Sequence, residues 1–276
     1  MISAPLSSLQ AWCEHFRQAP IPALAGTVEE LETLRLVNEA SDSVDAHMIS
    51  EAVSSDPLMI LRVLAYASTH RRPGQVTDAE TITAAVLLMG ITRFFQEFSE
   101  MSSVNALLNP VPGAMDGLRR VVRRARRAAH FSQAIAIHRA DADIAVICEA
   151  ALLHDFAEML LWCHAPTLAL EIARRQAQDS HLRSHVIQKE LLGISLADLE
   201  QALMQAWHLP ALLIRITNDA HPEDPQVANV ALAVRIARHS QEGWDNPALP
   251  EDFMALGTLL RVLPSSAQAL LQQVDA

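Results

Sequence analysis

The chain has 276 residues, 50% of them hydrophobic and 19% charged, so it can bury a substantial core and is not a disordered segment. Aromatic residues make up 4% and glycines number 8, which together with abundant alanine and leucine favours helix over strand. The net charge of -11 argues against general DNA binding and against an anionic membrane surface, because both need a basic face. We therefore expect an all-α fold with neither DNA nor membrane as partner.

The cysteines and the N-terminus indicate a cellular compartment. Cys13, Cys148 and Cys163 form no C-x-x-C pair, so the sequence predicts neither a disulfide framework nor a zinc finger. The N-terminus lacks the basic and apolar regions of a signal peptide, and charged residues interrupt the most apolar stretch, 144–162. A cytoplasmic protein is the simplest interpretation.

The first part of the chain predicts a series of short helices. One is expected within 1–19, and another begins at Thr27, which Glu30 follows at the spacing of a capping box. Asp56 and Pro57 are typical of a helix start, with the carboxylate as cap and the proline in the first turn.

The next segment contains the strongest breaks. Residues 71–74 predict a turn, a helix then ends at Gly90, and helical periodicity continues over 91–108. Residues 109–117 are rich in proline and glycine and predict a linker.

A long amphipathic helix opens the second part. At about 100° per residue, one arc of it collects small and apolar residues: Val121, Val122, Ala125, Ala128, Ala129, Ser132, Ile135 and Ala136. The opposite arc collects six arginines: Arg119, Arg120, Arg123, Arg124, Arg126 and Arg127. The pattern predicts a buried apolar face and a basic outer face.

Capping residues divide the rest of the chain into further helices. Asp141 and Asp143 precede one helix and Pro166 starts another. More helices are expected at 181–192, 195–207, 209–219, 225–241 and 250–274. The domain prediction is an N-terminal helix (1–19), a helical lobe (20–112), a second helical lobe (113–243) and a C-terminal helical extension (244–276).

The pair His154-Asp155 stands in an apolar run that is predicted to be one helix. An unpaired buried carboxylate is costly, so Asp155 should meet a cation, a set of donors or a metal. An adjacent imidazole and carboxylate can bind one ion if other helices supply further ligands.

The run EAALLHDFAEMLL resembles the helix of the HD superfamily of metal-dependent phosphohydrolases. A longer ordered set is similar to the HDOD family, the signalling relatives of that superfamily: IPALAGTVEELETL, SEAVSSDPLMILRVLAYAS, RPGQVTDAETITAAVLLMG, HFSQAIA, and ELLGISLADLEQALMQAWHLPALLIRITNDAH. The likeness covers about residues 20 to 240. It implies a multi-helical fold with two lobes and a bacterial signal-transduction protein that acts through protein contacts.

The sequence departs from the superfamily's H...HD...D metal ligands at two places. Phe131 stands where the first histidine is expected, and Val234 stands where the last aspartate is expected. The neighbouring His130 belongs to the arginine face and should point to solvent. Ala157 and Glu158 replace the glycine and lysine of HD-x-G-K, so an anion stands where a phosphate would be bound.

We therefore interpret His154 and Asp155 as a degenerate HD motif and expect no catalytic residue, no metal and no cofactor. The alternative is a reorganised metal site of His154, Asp155 and Glu158, which share one helical face. His181 and His185 have a spacing that can bind zinc, but their polar context favours a solvated face. His221 is expected in a loop.

Arg120, Arg123, Arg124 and Arg127 form the other candidate site. A solvated face paired with nearby carboxylates is one interpretation. A docking surface for an acidic partner or a nucleotide-type ligand is the other, because like charges one turn apart repel and call for compensation. The function predicted overall is a non-catalytic HDOD-type regulator with an unidentified protein partner. The alternatives are a phosphohydrolase acting on a nucleotide or cyclic dinucleotide, and a nucleotide-binding module without hydrolysis.

Overall fold

The structure is a computed structural model that describes residues 1–70, 79–179 and 182–275. These residues form helices and connecting turns, and the only β-type pairing among them is an isolated bridge between Ala23 and Ser103. The all-α prediction is confirmed. The turn predicted at 71–74 lies outside the described residues.

Helices make up most of the described residues. They are α1 Leu9–Gln18, α2 Ala25–Ser41, α3 Ala46–Val53, α4 Pro57–Thr69, α5 Ile82–Met89, α6 Ile91–Glu97, α7 Val104–Leu108, α8 Ala114–Arg139, α9 Ile144–Leu153, α10 Phe156–His164, α11 Pro166–Gln178, α12 Ser184–Leu192, α13 Leu196–Ala206, α14 Ala211–Ile216, α15 Pro225–His239, α16 Leu249–Leu260 and α17 Pro264–Val274.

The chain divides into two compact units, and each is built from two segments. The first unit comprises Met1–Val122 and Asp155–Pro210, and the second comprises Arg123–His154 and Ala211–Ala276. The predicted lobes, by contrast, were continuous stretches of sequence. The predicted domain bounds remain a prediction, because compactness alone does not define independently folding domains.

Several predicted boundaries agree with the structure. The side chain of Asp56 caps α4, whose first residue is Pro57. Gly90 ends α5 with φ of 86°, in the region that favours glycine. Pro166 is the first residue of α11, where its missing N–H would have had no helical partner anyway.

Other predicted boundaries are wrong. Thr27 lies inside α2, which begins at Ala25 without a side-chain cap. The helix expected over 91–108 is broken between α6 and α7, and the buried ring of Phe98 packs against Phe94 at the break. The helix expected over 250–274 is two helices, because Arg261 adopts a left-handed φ of 58° and Pro264 cannot continue the hydrogen-bond ladder.

In the first unit the core forms around α1, α4, α10 and α13. Trp12 and Phe16 of α1 are buried, and the indole N–H of Trp12 donates to the carbonyl of Leu192 over 3.2 Å. Apolar residues of α4 and α10 are buried on nearly all sides, which explains their continuous apolar sequence. Asp155, the second residue of the HD dipeptide, directly precedes α10 and belongs to this unit.

In the second unit α8, α9 and α15 build the core. The part of the predicted apolar arc of α8 that lies in this unit is buried, from Ala125 to Ala136, with Ser132 fully buried among apolar neighbours. The hydroxyl of Ser132 donates to the carbonyl of Ile147, and the amide of buried Asn229 donates to the carbonyl of Ser132. These two bonds connect α8 to α9 and to α15.

Across the described residues, length and apolar composition do not suffice for any single helix to cross a membrane. Taken together, α16 and α17 reach the required length and composition, but the pair is bent by 98°.

Candidate functional site

The HD dipeptide lies at a break between two helices. The helix α9 ends at Leu153 and α10 begins at Phe156, so the expectation of one helix through the pair is wrong. Asp155 leaves helical geometry, with φ of -107° and ψ of 20°, and its carbonyl accepts from the backbone N–H groups of Glu158 and Met159. The division between the two compact units also falls between His154 and Asp155.

His154 has a carboxylate partner that the sequence did not suggest. Its Nε2 lies 3.1 Å from Oδ1 of Asp219, which is 65 residues further along the chain. The side chain of His154 is 13% exposed, whereas that of Asp219 is 54% exposed. The pair therefore sits at the edge of the second unit, with the imidazole packed into the unit and the carboxylate in contact with solvent.

Asp155 and Glu158 are half-buried, and neither is without an interaction partner. Asp155 was expected to have an interaction partner and it does, and the turn between the helices leaves its side chain partly accessible. Ala157, at the glycine position of HD-x-G-K, is buried.

Phe131, at the position of the first HD histidine, is fully buried. Its ring lies beneath the guanidinium of Arg127, 5.3 Å from its central carbon, and 6.0 Å from the ring of Trp244. The guanidinium of Arg127 also lies 5.8 Å from the Trp244 ring. Phe131, Trp244 and the guanidinium of Arg127 thus form one aromatic and cationic cluster in the second unit.

Val234 and His130 are the two other residues that the sequence comparison considered for the metal-ligand positions. Val234, at the position of the last aspartate, is buried in α15. His130 is exposed on α8, as predicted from its place on the arginine face. Phe131 and Val234, which the sequence comparison placed at two of the metal-ligand positions, are thus both core residues.

The donors needed for a divalent ion do not come together. Within 1–70, 79–179 and 182–275, no group of three or more histidine, cysteine, aspartate or glutamate side chains is placed to hold a metal. The pair formed by His154 and Asp219 supplies two donors, whereas hard divalent ions take six or more oxygen ligands and zinc takes four ligands. The described residues do not fit the metal centre of the superfamily.

The arginines of α8 do not share one solvent-facing surface. Arg120 and Arg123 are exposed, but Arg124 is buried, with 9% of its surface exposed, and it engages other groups of the protein. Arg124 lies at the border of the predicted basic arc, beside the apolar arc, and this position explains its burial. The expected common face is wrong for this residue.

Arg127 is also committed within the second unit. Its Nε and Nη2 donate to the two carboxylate oxygens of Asp275, each over 2.7 Å. The remaining donor capacity goes to the carbonyls of Ala237 and Ser240 and to the Ser240 hydroxyl. This guanidinium is a structural connector, and its use as a docking group is not supported by its contacts.

The remaining candidate histidines are the pair His181 and His185, expected on a solvated helix face, and His221, expected in a loop. His185 is exposed on α12, while His181 lies outside the described residues. His221 is exposed in the loop before α15, where its Nδ1 lies 3.2 Å from Glu223. The loop position of His221 is confirmed.

Comparison with solved structures supports the same architecture. The MmoQ response regulator from Methylococcus capsulatus str. Bath is similar to this chain with a TM-score of 0.68 at 17% identity, covering 91% of this chain and 98% of that one. A virulence factor from Campylobacter jejuni subsp. jejuni gives a TM-score of 0.63 at 19% identity, covering 94% and 92%. At this level of identity the likeness shows the fold alone. No curated protein matches.

The described residues form an all-helical fold, and the HD dipeptide lies between α9 and α10. The family model of the HDOD domain matches residues 21–222, so the chain belongs to the HDOD domain family. The resemblance inferred from the ordered sequence motifs is confirmed.

Proposed function

We propose that this protein is a non-catalytic regulator of the HDOD type that acts in signalling through contacts with another protein. The observation that carries the proposal is the fully buried Phe131, held between Arg127 and Trp244 where the first metal-binding histidine would stand. Restoring a ligand there would require the aromatic stack to come apart. Val234 in α15 supports the same conclusion at the last ligand position.

The polar pair His154 and Asp219 has a structural role in this proposal. A histidine and an aspartate 3.1 Å apart can connect the end of α9 to the loop after α14 without any metal. Since Asp219 is half exposed, the pair contributes modestly to stability. Loss of the imidazole should therefore leave partner binding intact.

The test combines metal analysis with a hydrolysis assay on the full chain. Purified wild-type protein and His154→Ala are incubated with Mn²⁺, Fe²⁺ or Zn²⁺, desalted, and analysed by mass spectrometry of the elements. Both are then assayed on bis-p-nitrophenyl phosphate and on cyclic dinucleotides. We expect metal contents well below one ion per chain, equal in the two proteins, and no turnover above buffer.

Stoichiometric metal that is lost in His154→Ala, or turnover that this variant abolishes, would overturn the proposal in favour of a phosphohydrolase. The second arm measures capture of a native-cell protein by the tagged wild type and by His154→Ala. The same captured protein at the same yield is expected from both, because the proposed contact does not depend on the HD dipeptide.

A further inference from the structure

The helix α2 in the first unit buries little of its surface. Among its 17 residues, all of them described, two are buried, Thr27 and Leu31. Two large apolar side chains further along the helix are exposed to solvent, Leu36 by 53% and Val37 by 39%. Helices in folded proteins are stabilised mostly by the packing of an apolar face. The C-terminal half of α2 therefore leaves apolar surface in contact with water.

The exposed apolar side chains belong to a second face of α2, which we call the α2 stripe. Positions i, i+3, i+4 and i+7 of a helix lie on one side of it, and exposed or partly exposed residues occupy this set: Thr33, Leu36, Val37 and Ala40. At about 100° per residue, these four lie roughly 120° to 180° round the helix axis from the buried Leu31. The α2 stripe is thus directed away from the buried side of the helix, and its spacing is typical of a face that packs against another helix.

Acidic side chains border the α2 stripe on several sides. Glu29 continues its line toward the N-terminus of the helix, and Glu30 lies at one edge, both exposed. Glu32 and Glu39 lie at the other edge, where both pair with Arg35. Since α2 has four glutamates and one arginine, its surface stays anionic after this pairing.

The charges around the α2 stripe indicate which kind of partner can cover it. A second copy of the chain would bring glutamates against glutamates in a contact between two α2 helices, which is unfavourable. An anionic membrane surface would be repelled for the same reason. A basic segment is attracted, both by the glutamates beside the stripe and by the net charge of -11 of the whole chain.

We propose that the α2 stripe docks a basic, amphipathic helix of a partner protein. The apolar side chains of that helix cover Leu36 and Val37, and its lysine or arginine side chains pair with Glu29 and Glu30. One helix face is a small interface, so the contact is of the transient kind found in signalling. The proposal rests on the proposed function and specifies where the partner binds.

The first experiment measures binding of a synthetic basic helix to the full chain. The probe is a fluorescein-labelled peptide of three repeats of Ile-Ala-Ala-Leu-Lys-Gln-Lys, in which an apolar stripe runs between two rows of lysines. A comparison peptide has glutamate in place of every lysine. Fluorescence anisotropy should rise saturably with the basic peptide and stay unchanged with the acidic one.

Substitutions on α2 test the apolar and the acidic parts of the face separately. Leu36→Gln combined with Val37→Gln leaves the net charge unchanged and should weaken binding of the basic peptide about tenfold, because two apolar contacts are lost. Glu29→Gln combined with Glu30→Gln should weaken it about threefold, and added salt should reduce this difference.

The matched controls lie in the second unit. Met254 and Leu263 are 56% and 70% exposed, so Met254→Gln combined with Leu263→Gln removes two exposed apolar side chains away from α2. Glu242→Gln combined with Glu251→Gln removes two exposed carboxylates in the same unit. Both control variants should bind the basic peptide like the wild type, and circular dichroism should show that every variant is folded.

Absence of saturable binding to the wild type, equal binding of the acidic peptide, or equal losses in the α2 variants and their controls would overturn the proposal. Sedimentation velocity adds a further check. A wild-type dimer that dissociates in the variant with Leu36→Gln and Val37→Gln would assign the stripe to a second copy of the chain instead. Metal content and hydrolysis do not enter these readouts, so their failure leaves the test of the regulatory role unaffected.

Discussion

At the residue scale, Asp56 shows how one side chain can hold two segments of the first unit together. The carboxylate is fully buried, and it accepts from the backbone N–H groups of Leu58 and Met59 at the start of α4 and of Leu24 before α2. The sequence indicated the cap of α4, because Asp-Pro is a local signal. It gave no indication of the bond to Leu24, which is 32 residues away.

We predict that Asp56→Ala lowers the free energy of unfolding by on the order of 3 kcal/mol, because two buried N–H groups and a partly buried one lose their acceptor. Urea unfolding at pH 7 measures the loss. Asp45→Ala is the matched control, since Asp45 is an exposed cap of α3 with a single bond to Met48, and its loss should be about 1 kcal/mol. Equal losses in the two variants would contradict the role assigned to Asp56.

The surroundings of the HD dipeptide illustrate a second limit at this scale. Phe131 and Val234 were identified from their positions in the sequence, and both lie in the core. The partner of His154 was not identified, because Asp219 is 65 residues away and no local pattern links the two side chains. The break of the helix at Asp155 was also missed, since apolar residues continue on both sides of it.

At the element scale, the glycines of two helices have opposite roles. Gly117 lies in α8, and a Cβ added there would overlap the six-membered ring of Trp162, which is buried in α10. Gly26 lies in α2, and a Cβ added there would meet nothing within 4 Å. Substitution of each glycine by alanine therefore separates the effect of close helix packing, at Gly117, from the effect of helix propensity alone, at Gly26.

We predict that Gly117→Ala destabilises the protein by about 2 kcal/mol, because displacement of the Trp162 ring outweighs the gain of helix propensity. Gly26→Ala should stabilise it by about 0.5 kcal/mol, since only the propensity changes. Thermal unfolding of both variants beside the wild type measures the two effects. Two shifts of the same sign would show that the contact between α8 and α10 is looser than described.

At the scale of the whole molecule, the fold was predictable because helical periodicity and capping are local properties. Ordered motifs indicated the family over about residues 20 to 240, and the family model matches residues 21–222. The division into two units of two segments each was not predictable, because it depends on which helices pack together after chain folding.

The stability of the whole molecule should fall in mild acid because of His164. This imidazole is buried beside Phe16, and its Nε2 lies 3.1 Å from the Pro20 carbonyl. Burial, followed by the charge of His15 and of the N-terminus, lowers its pKa to about 4, while the bond to Pro20 opposes the shift. The folded protein therefore keeps His164 neutral where the unfolded chain, with an ordinary pKa of 6.5, binds a proton.

The stability that the neutral His164 contributes is complete above pH 6.5 and is lost as the pH falls toward 4. The loss amounts to about 2 kcal/mol at pH 5. His164→Gln keeps an N–H donor for Pro20 but does not titrate, so we predict that its free energy of unfolding changes about 2 kcal/mol less than the wild type's between pH 7 and pH 5. Urea unfolding at both pH values gives the difference. His221→Gln, at an exposed loop position, should follow the wild type. Parallel losses in wild type and His164→Gln would mean that other groups cause the acid sensitivity.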